Sequence, residues 1–72
     1  MINRHLIIEF GIRIKNLRLE KKWSQEDLSF RTGFHRTYIG MIERAEKNIS
    51  LKNIQKVAKA LNISIEDLFK GF

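Results

Sequence analysis

The chain has 72 residues, no cysteine and no proline, and 14 basic residues against 8 acidic ones, which gives a formal net charge of +6. This length predicts one domain, residues 1–72, and the lack of cysteine excludes disulfides and thiolate metal sites. Only four glycines interrupt the sequence, so a β-barrel or sandwich with many tight turns is not expected and the predicted class is all-α. The basic surplus favours a polyanionic partner.

Membrane and enzyme functions find little support in the sequence. No apolar stretch reaches transmembrane length and no signal-peptide pattern is present, so we expect a cytoplasmic protein with no membrane partner. The two histidines, His5 and His35, are too far apart for a local metal site and lack the Ser or Asp neighbours of a catalytic triad. We therefore predict no enzyme activity, no catalytic residue, no cofactor and no metal.

The first half of the chain predicts two helices. Apolar residues spaced by three and four form a stripe on a first helix, from about residue 4 to residue 21, whose other faces are basic. Ser24, with Asp27 three residues later, resembles a capping box and starts a second helix that runs from Gln25 to Arg31.

The second half predicts three more helices. A third covers about residues 35–44, and Ser50 caps a fourth that continues to residue 61. Ser64, again with an acidic residue three positions on, opens a short last helix.

Residues 25–44 combine two short helices with a turn of about four residues between them. Gly33 lies where the chain leaves the second helix, and glycine adopts positive φ there without a steric penalty. Leu28, Ile39 and Ile42 supply the apolar side of the unit. The pattern predicts a helix-turn-helix, with a plain helical hairpin as the alternative.

The outward face of the third helix favours the first of these interpretations. It carries hydrogen-bond donors, an aromatic hydroxyl and a glycine, whereas a merely solvated helix more often shows Glu and Lys pairs. Arg36 lies in the first turn, from which a guanidinium reaches into a DNA major groove and donates to both acceptors of guanine. The predicted base-reading residues are Arg36, Thr37, Tyr38 and Arg44.

Polar and basic residues around this helix are suited to phosphate contacts, which set register without reading sequence. Most of them lie at the start of the second, third and fourth helices. The predicted phosphate-binding residues are Arg18, Gln25, His35, Lys47, Asn48, Ser50 and Lys52.

The order of these motifs resembles the helix-turn-helix domain of phage repressors and Cro, also called the xenobiotic-response-element family. The resemblance rests mainly on Trp23 to Leu28, Gly33, Arg36 to Ile39 and Ile42 to Arg44, and the run HRTYIGMIERAEKNISL is similar to controller proteins of restriction-modification systems. It implies a compact five-helix, lambda-repressor-like fold. It also implies a transcription regulator that binds a palindromic double-stranded DNA operator as a homodimer.

The resemblance further implies an internal ion pair between Arg18 and Glu43. Three positions depart from the family pattern. Ala45 stands where glycine is common after the recognition helix, so we expect another geometry at that exit. Gly40 replaces a residue that is usually serine, and Lys47 occupies a position often held by arginine.

Residues 62–72 are predicted to form a dimerisation segment. Five large apolar side chains lie in the last ten positions, more than one short helix can cover in so small a domain. For Leu68 and Phe69 the alternative is packing in the core of a single subunit. The predicted interface residues are Ile63, Ile65, Leu68, Phe69 and Phe72.

Two questions of function stay open at this point. RNA polymerase is a candidate partner, for which the acidic residues Glu26, Asp27 and Glu46 are candidate contacts, although they are equally suited to helix capping or solvent exposure. The alternative function is an antitoxin-like interaction module whose apolar tail binds another protein and whose DNA binding is secondary.

Overall fold

The computed structural model describes residues 4–72, and the regular elements in that range are all helices. They are α1 Arg4–Glu20, α2 Gln25–Thr32, α3 Arg36–Glu43, α4 Leu51–Ala60 and α5 Ile65–Leu68. These bounds confirm the predicted all-α, five-helix fold and differ from the expected ones only at helix ends. None of the described helices is long and apolar enough to span a bilayer.

Each of the helices α2 to α5 is preceded by an N-cap residue, whose side chain accepts a hydrogen bond from a backbone N–H of the first turn. Ser24 Oγ accepts from the Asp27 N–H at 3.0 Å, and Asp27 Oδ2 accepts from the Ser24 N–H at 2.8 Å. The predicted capping box is therefore present. Ser50 and Ser64 cap α4 and α5 as expected, and His35 caps α3.

Each of the first four helices is followed within two residues by a residue with a left-handed backbone. These residues are Lys22, Gly33, Ala45 and Asn62. Gly33 has φ of 81°, as predicted. Ala45 has φ of 61°, so α3 ends in the geometry that glycine would adopt, and the expectation of another exit is wrong. The Glu46 N–H donates to the Met41 carbonyl at 2.8 Å and closes this turn, which offsets the steric cost of the alanine Cβ.

The core lies where the five helices meet. Burial of each large apolar side chain contributes about 1.5–3 kcal/mol, so this cluster is the main source of stability. Its members are Phe10, Ile14, Leu28, Ile39, Ile42, Val57, Ala58, Leu61 and Leu68. Trp23 packs against the cluster and is covered by Arg31, whose guanidinium lies 4.0 Å from the indole ring centroid. Trp23 is therefore part of the packing.

Helix α1 approaches the end of α3 at Gly11. A Cβ atom at position 11 would lie 2.5 Å from the carbonyl oxygen of Ile42 and 2.8 Å from that of Glu43. Both oxygens belong to the backbone and cannot move independently, so glycine is required for this approach. The spacing of apolar residues in the sequence gave no indication of it.

Candidate nucleic-acid interface

The outward side of α3 begins with Arg36 and Thr37, which are both exposed in its first turn. Farther along the helix, Gly40 and Arg44 lie on the same side, and Gln25 of α2 borders it. The five residues line one shallow depression. The structure thus brings together three of the four predicted base-reading residues and one predicted phosphate-binding residue.

The back of α3 is tied to α1 by a buried ion pair. Arg18 donates from Nε to Glu43 Oε2 at 2.7 Å and from Nη2 to Oε1 at 3.0 Å, and the two side chains are 7% and 3% exposed. Arg18 Nη1 donates to the Trp23 carbonyl at 2.7 Å. The predicted ion pair is confirmed. Arg18 is 6% exposed and each of its three nitrogens donates inside the domain, so only its remaining N–H groups are left for the phosphate contact that the sequence predicts.

Gln25 takes part in the same network. Its Nε2 donates to Glu43 Oε1 at 3.1 Å, so the side-chain amide ties α2 to α3. Gln25 is also the first residue of α2, and first-turn backbone N–H groups have no acceptor within their own helix. A phosphate contact at Gln25 would therefore use its backbone N–H more readily than its side chain.

Tyr38 faces α4 and not the depression. Its ring meets that of Phe34 edge-on, with centroids 5.0 Å apart, and its hydroxyl oxygen accepts from Asn53 Nδ2 at 3.1 Å. The hydroxyl thus lies beside the first turn of α4, among the predicted phosphate-binding residues. Sequence reasoning did not identify Asn53, whose only signal was its position three residues after the cap Ser50.

His35 holds the start of α3. Its Nδ1 accepts from the Thr37 N–H at 3.0 Å, so a neutral ring in this arrangement carries its proton on Nε2. The side chain is exposed, and that outward N–H is a suitable donor to phosphate.

The remaining predicted phosphate-binding residues surround the start of α4, and Lys47, Asn48, Ser50 and Lys52 are all exposed. Ser50 Oγ accepts from the Asn53 N–H at 3.2 Å, which leaves the hydroxyl hydrogen able to donate outward. The structure therefore groups these four residues as predicted.

Arg44 makes a contact that the sequence did not indicate. Its Nε donates to Glu46 Oε2 at 3.0 Å and its Nη2 to Oε1 at 3.2 Å. The hydrogen bond from Arg44 lowers the pKa of the Glu46 carboxyl, and the same bond raises the pKa of the Arg44 guanidinium. The sequence suggested a polymerase contact, helix capping or solvent exposure for Glu46, but not this pair with Arg44.

The predicted dimerisation segment divides into buried and exposed parts. Leu68 is fully buried in the subunit core, so its expected place in an interface is corrected. Phe69 is partly buried and stacks on Phe10 with ring centroids 5.3 Å apart. Ile63 is partly buried, whereas Ile65 and Phe72 are 37% and 42% exposed. Within residues 62–72, the large apolar side chains that are exposed are therefore those of Ile65 and Phe72.

No cluster of three or more His, Asp or Glu side chains that could hold a metal ion occurs within residues 4–72.

Of the acidic residues noted in the sequence, Asp27 caps α2 and Glu46 binds Arg44, while Glu26 is exposed in the first turn of α2.

Comparison with known proteins identifies the family to which this fold belongs. The helix-turn-helix family model matches residues 14–68. Control protein C.BamHI of Bacillus amyloliquefaciens is 48% identical over 60 residues, which are 82% of this chain and 74% of that protein. The restriction-modification controller protein C.AhdI from Aeromonas hydrophila has a TM-score of 0.84 at 46% identity, covering 88% of this chain and 96% of that one. The nucleoprotein complex C.Esp1396I has a TM-score of 0.83 at 37% identity, covering 90% of this chain and 84% of that one.

The chain belongs to the helix-turn-helix family of DNA-binding transcription regulators, which is not an enzyme family. Within it, the chain groups with the controller proteins of restriction-modification systems. Membership of the family and similarity to controller proteins both confirm the resemblance seen in the sequence.

Proposed function

We propose that this chain is a sequence-specific controller protein that acts as a homodimer on a palindromic double-stranded operator. The observation that carries the proposal is the setting of Arg36 and Thr37, which are exposed in the first turn of α3 while the buried Arg18–Glu43 pair fixes the other side of that helix. A firmly supported helix that presents polar side chains at its N-terminal end suits reading of base edges in the major groove.

In this proposal the base edges are read by Arg36, Thr37 and Arg44, whereas Tyr38 lies at the boundary between α3 and the phosphate-binding residues. The proposed phosphate contacts are Gln25, His35, Lys47, Asn48, Ser50 and Lys52. Two of these are lysines, whose contacts with phosphates would release counterions from the DNA, so affinity should fall as salt rises.

Dimer formation is supported by the exposed apolar side chains of Ile65 and Phe72. In a symmetric dimer each would meet its counterpart or a neighbour across a two-fold axis. Two recognition helices on one face of DNA would then contact half-sites about one helical turn apart, roughly 34 Å.

Sedimentation of an Ile65→Asp variant tests the dimer. Phe30→Asp is the control, because Phe30 is 79% exposed on α2 and outside the predicted interface. We expect a folded monomer for Ile65→Asp and a dimer for Phe30→Asp at micromolar concentration. An intact dimer for both variants would contradict an interface at Ile65.

Fluorescence anisotropy with DNA from upstream of the protein's own gene tests the function. Specific binding should exceed binding to scrambled DNA at both of two salt concentrations. Equal binding to both would instead favour the antitoxin-like interaction module, and a toxin encoded beside the gene would favour it further.

The proposal includes a cytoplasmic location, no catalytic activity of the chain and RNA polymerase as a further partner.

A further inference from the structure

Gly40 leaves room for the guanidinium of Arg44 on the outward side of α3. A Cβ atom at position 40 would lie 2.9 Å from Arg44 Nη1. Because position 40 has no Cβ, the Arg44 guanidinium can lie within the depression that Arg36 and Thr37 border.

The left-handed Ala45 brings a carboxylate to the same guanidinium. Because the chain reverses at residue 45, Glu46 lies beside Arg44 and accepts two parallel hydrogen bonds, from Nε and Nη2. This forked geometry is also the one by which a guanidinium binds a phosphate or the two acceptors of a guanine. The same edge of Arg44 cannot serve Glu46 and DNA together.

We propose that Glu46 is an internal substitute for a DNA acceptor, which holds Arg44 on the interface and must be displaced before the Nε–Nη2 edge of Arg44 binds DNA. The inference rests on the proposed function. Arg44 and Glu46 are 56% and 50% exposed, so the exchange is accessible and the pair is weak enough to open. Glu46 therefore lowers the affinity for DNA of any sequence, and it does so through Arg44.

A double-mutant cycle tests this inference. Wild type, Glu46→Gln, Arg44→Ala and the double variant are titrated by anisotropy into a fluorescein-labelled scrambled duplex and the duplex from upstream of the gene. Glu20→Gln is the control for net charge, because Glu20 is an exposed acidic residue at the end of α1. Glu46→Asp keeps the charge and shortens the carboxylate arm.

We expect Glu46→Gln to bind the scrambled duplex about two- to fivefold more tightly than Glu20→Gln, with a salt slope steeper by about one per subunit. Glu46→Asp should show part of this gain. In the Arg44→Ala background, Glu46→Gln and Glu20→Gln should have equal effects.

Two results would overturn the inference. Glu46→Gln that binds no more tightly than Glu20→Gln excludes a restraint on Arg44, and a gain that persists without Arg44 shows direct repulsion between Glu46 and DNA. In either case wild type still binds DNA, and the proposed function stands. Wild type that binds neither duplex at low salt would overturn the proposed function and this inference together.

Discussion

Arg18 and Glu43 join α1 to the last residue of α3 through hydrogen bonds of 2.7 and 3.0 Å. Because Glu43 also accepts from Gln25, one buried carboxylate connects α1, α2 and α3. The orientation of α3 relative to α1 and α2 therefore depends on this carboxylate.

Glu43→Gln should lower the free energy of unfolding by about 3–5 kcal/mol, because the Arg18 charge would stay buried without its counter-charge. Urea denaturation of this variant and of Glu20→Gln, an exposed control, measures the difference. A Glu43→Gln midpoint close to that of wild type would show that the pair is not buried in solution.

Gly11→Ala should destabilise the domain by about 1–3 kcal/mol, because the added Cβ meets two backbone carbonyl oxygens and forces α1 away from α3. Thermal melting followed by circular dichroism measures the loss. The reason is steric crowding and not helix propensity, since alanine is the better helix former.

Gly40→Ala is the matched comparison for Gly11→Ala, since both glycines lie inside helices. The new Cβ at position 40 meets only the far end of the Arg44 side chain within 3.0 Å, and that end can move. We expect Gly40→Ala to gain up to about 1 kcal/mol from helix propensity. Equal melting temperatures for the two variants would contradict the close approach at Gly11.

The capping box of α2 should make stability depend on pH. The hydrogen bonds from Ser24, first from its backbone N–H and then from its hydroxyl, lower the pKa of Asp27. A carboxyl whose pKa is lower in the folded state stabilises the fold above its usual pKa range, and this contribution disappears as pH falls through the folded-state pKa. Asp27→Asn should therefore be less stable than wild type at neutral pH and equally stable in strong acid. A constant difference across that range would contradict the assignment.

Most of the helix boundaries could be predicted, because the signals for them lie within a few residues of each other in the sequence. Each N-terminal cap that the sequence indicated formed, since a serine and the backbone N–H three residues later lie within one turn. Gly33 took the left-handed conformation for an equally local reason. The proposed DNA-facing residues on α3 followed from a spacing of three and four residues.

Contacts between distant segments account for what was missed. Leu68 belongs to a buried cluster that also contains Phe10, more than fifty positions earlier, and no local pattern shows that. Ala45 is buried and adopts positive φ in a turn that the hydrogen bond from the Glu46 N–H to the Met41 carbonyl closes, which overrides the preference for glycine. Glu46 was not connected with Arg44, because their pairing depends on that turn.

The proposal that Arg36 reads sequence from the first turn of α3 is tested by the binding of Arg36→Ala to operator and to scrambled DNA. We predict a loss of about 1–3 kcal/mol on the operator and much less on scrambled DNA. Lys52→Ala is the control, since an exposed lysine that contacts phosphate should weaken both duplexes similarly and lower the salt slope by about one per subunit. If Arg36→Ala lowers both affinities by the same factor, Arg36 contacts the DNA backbone and the claim is contradicted.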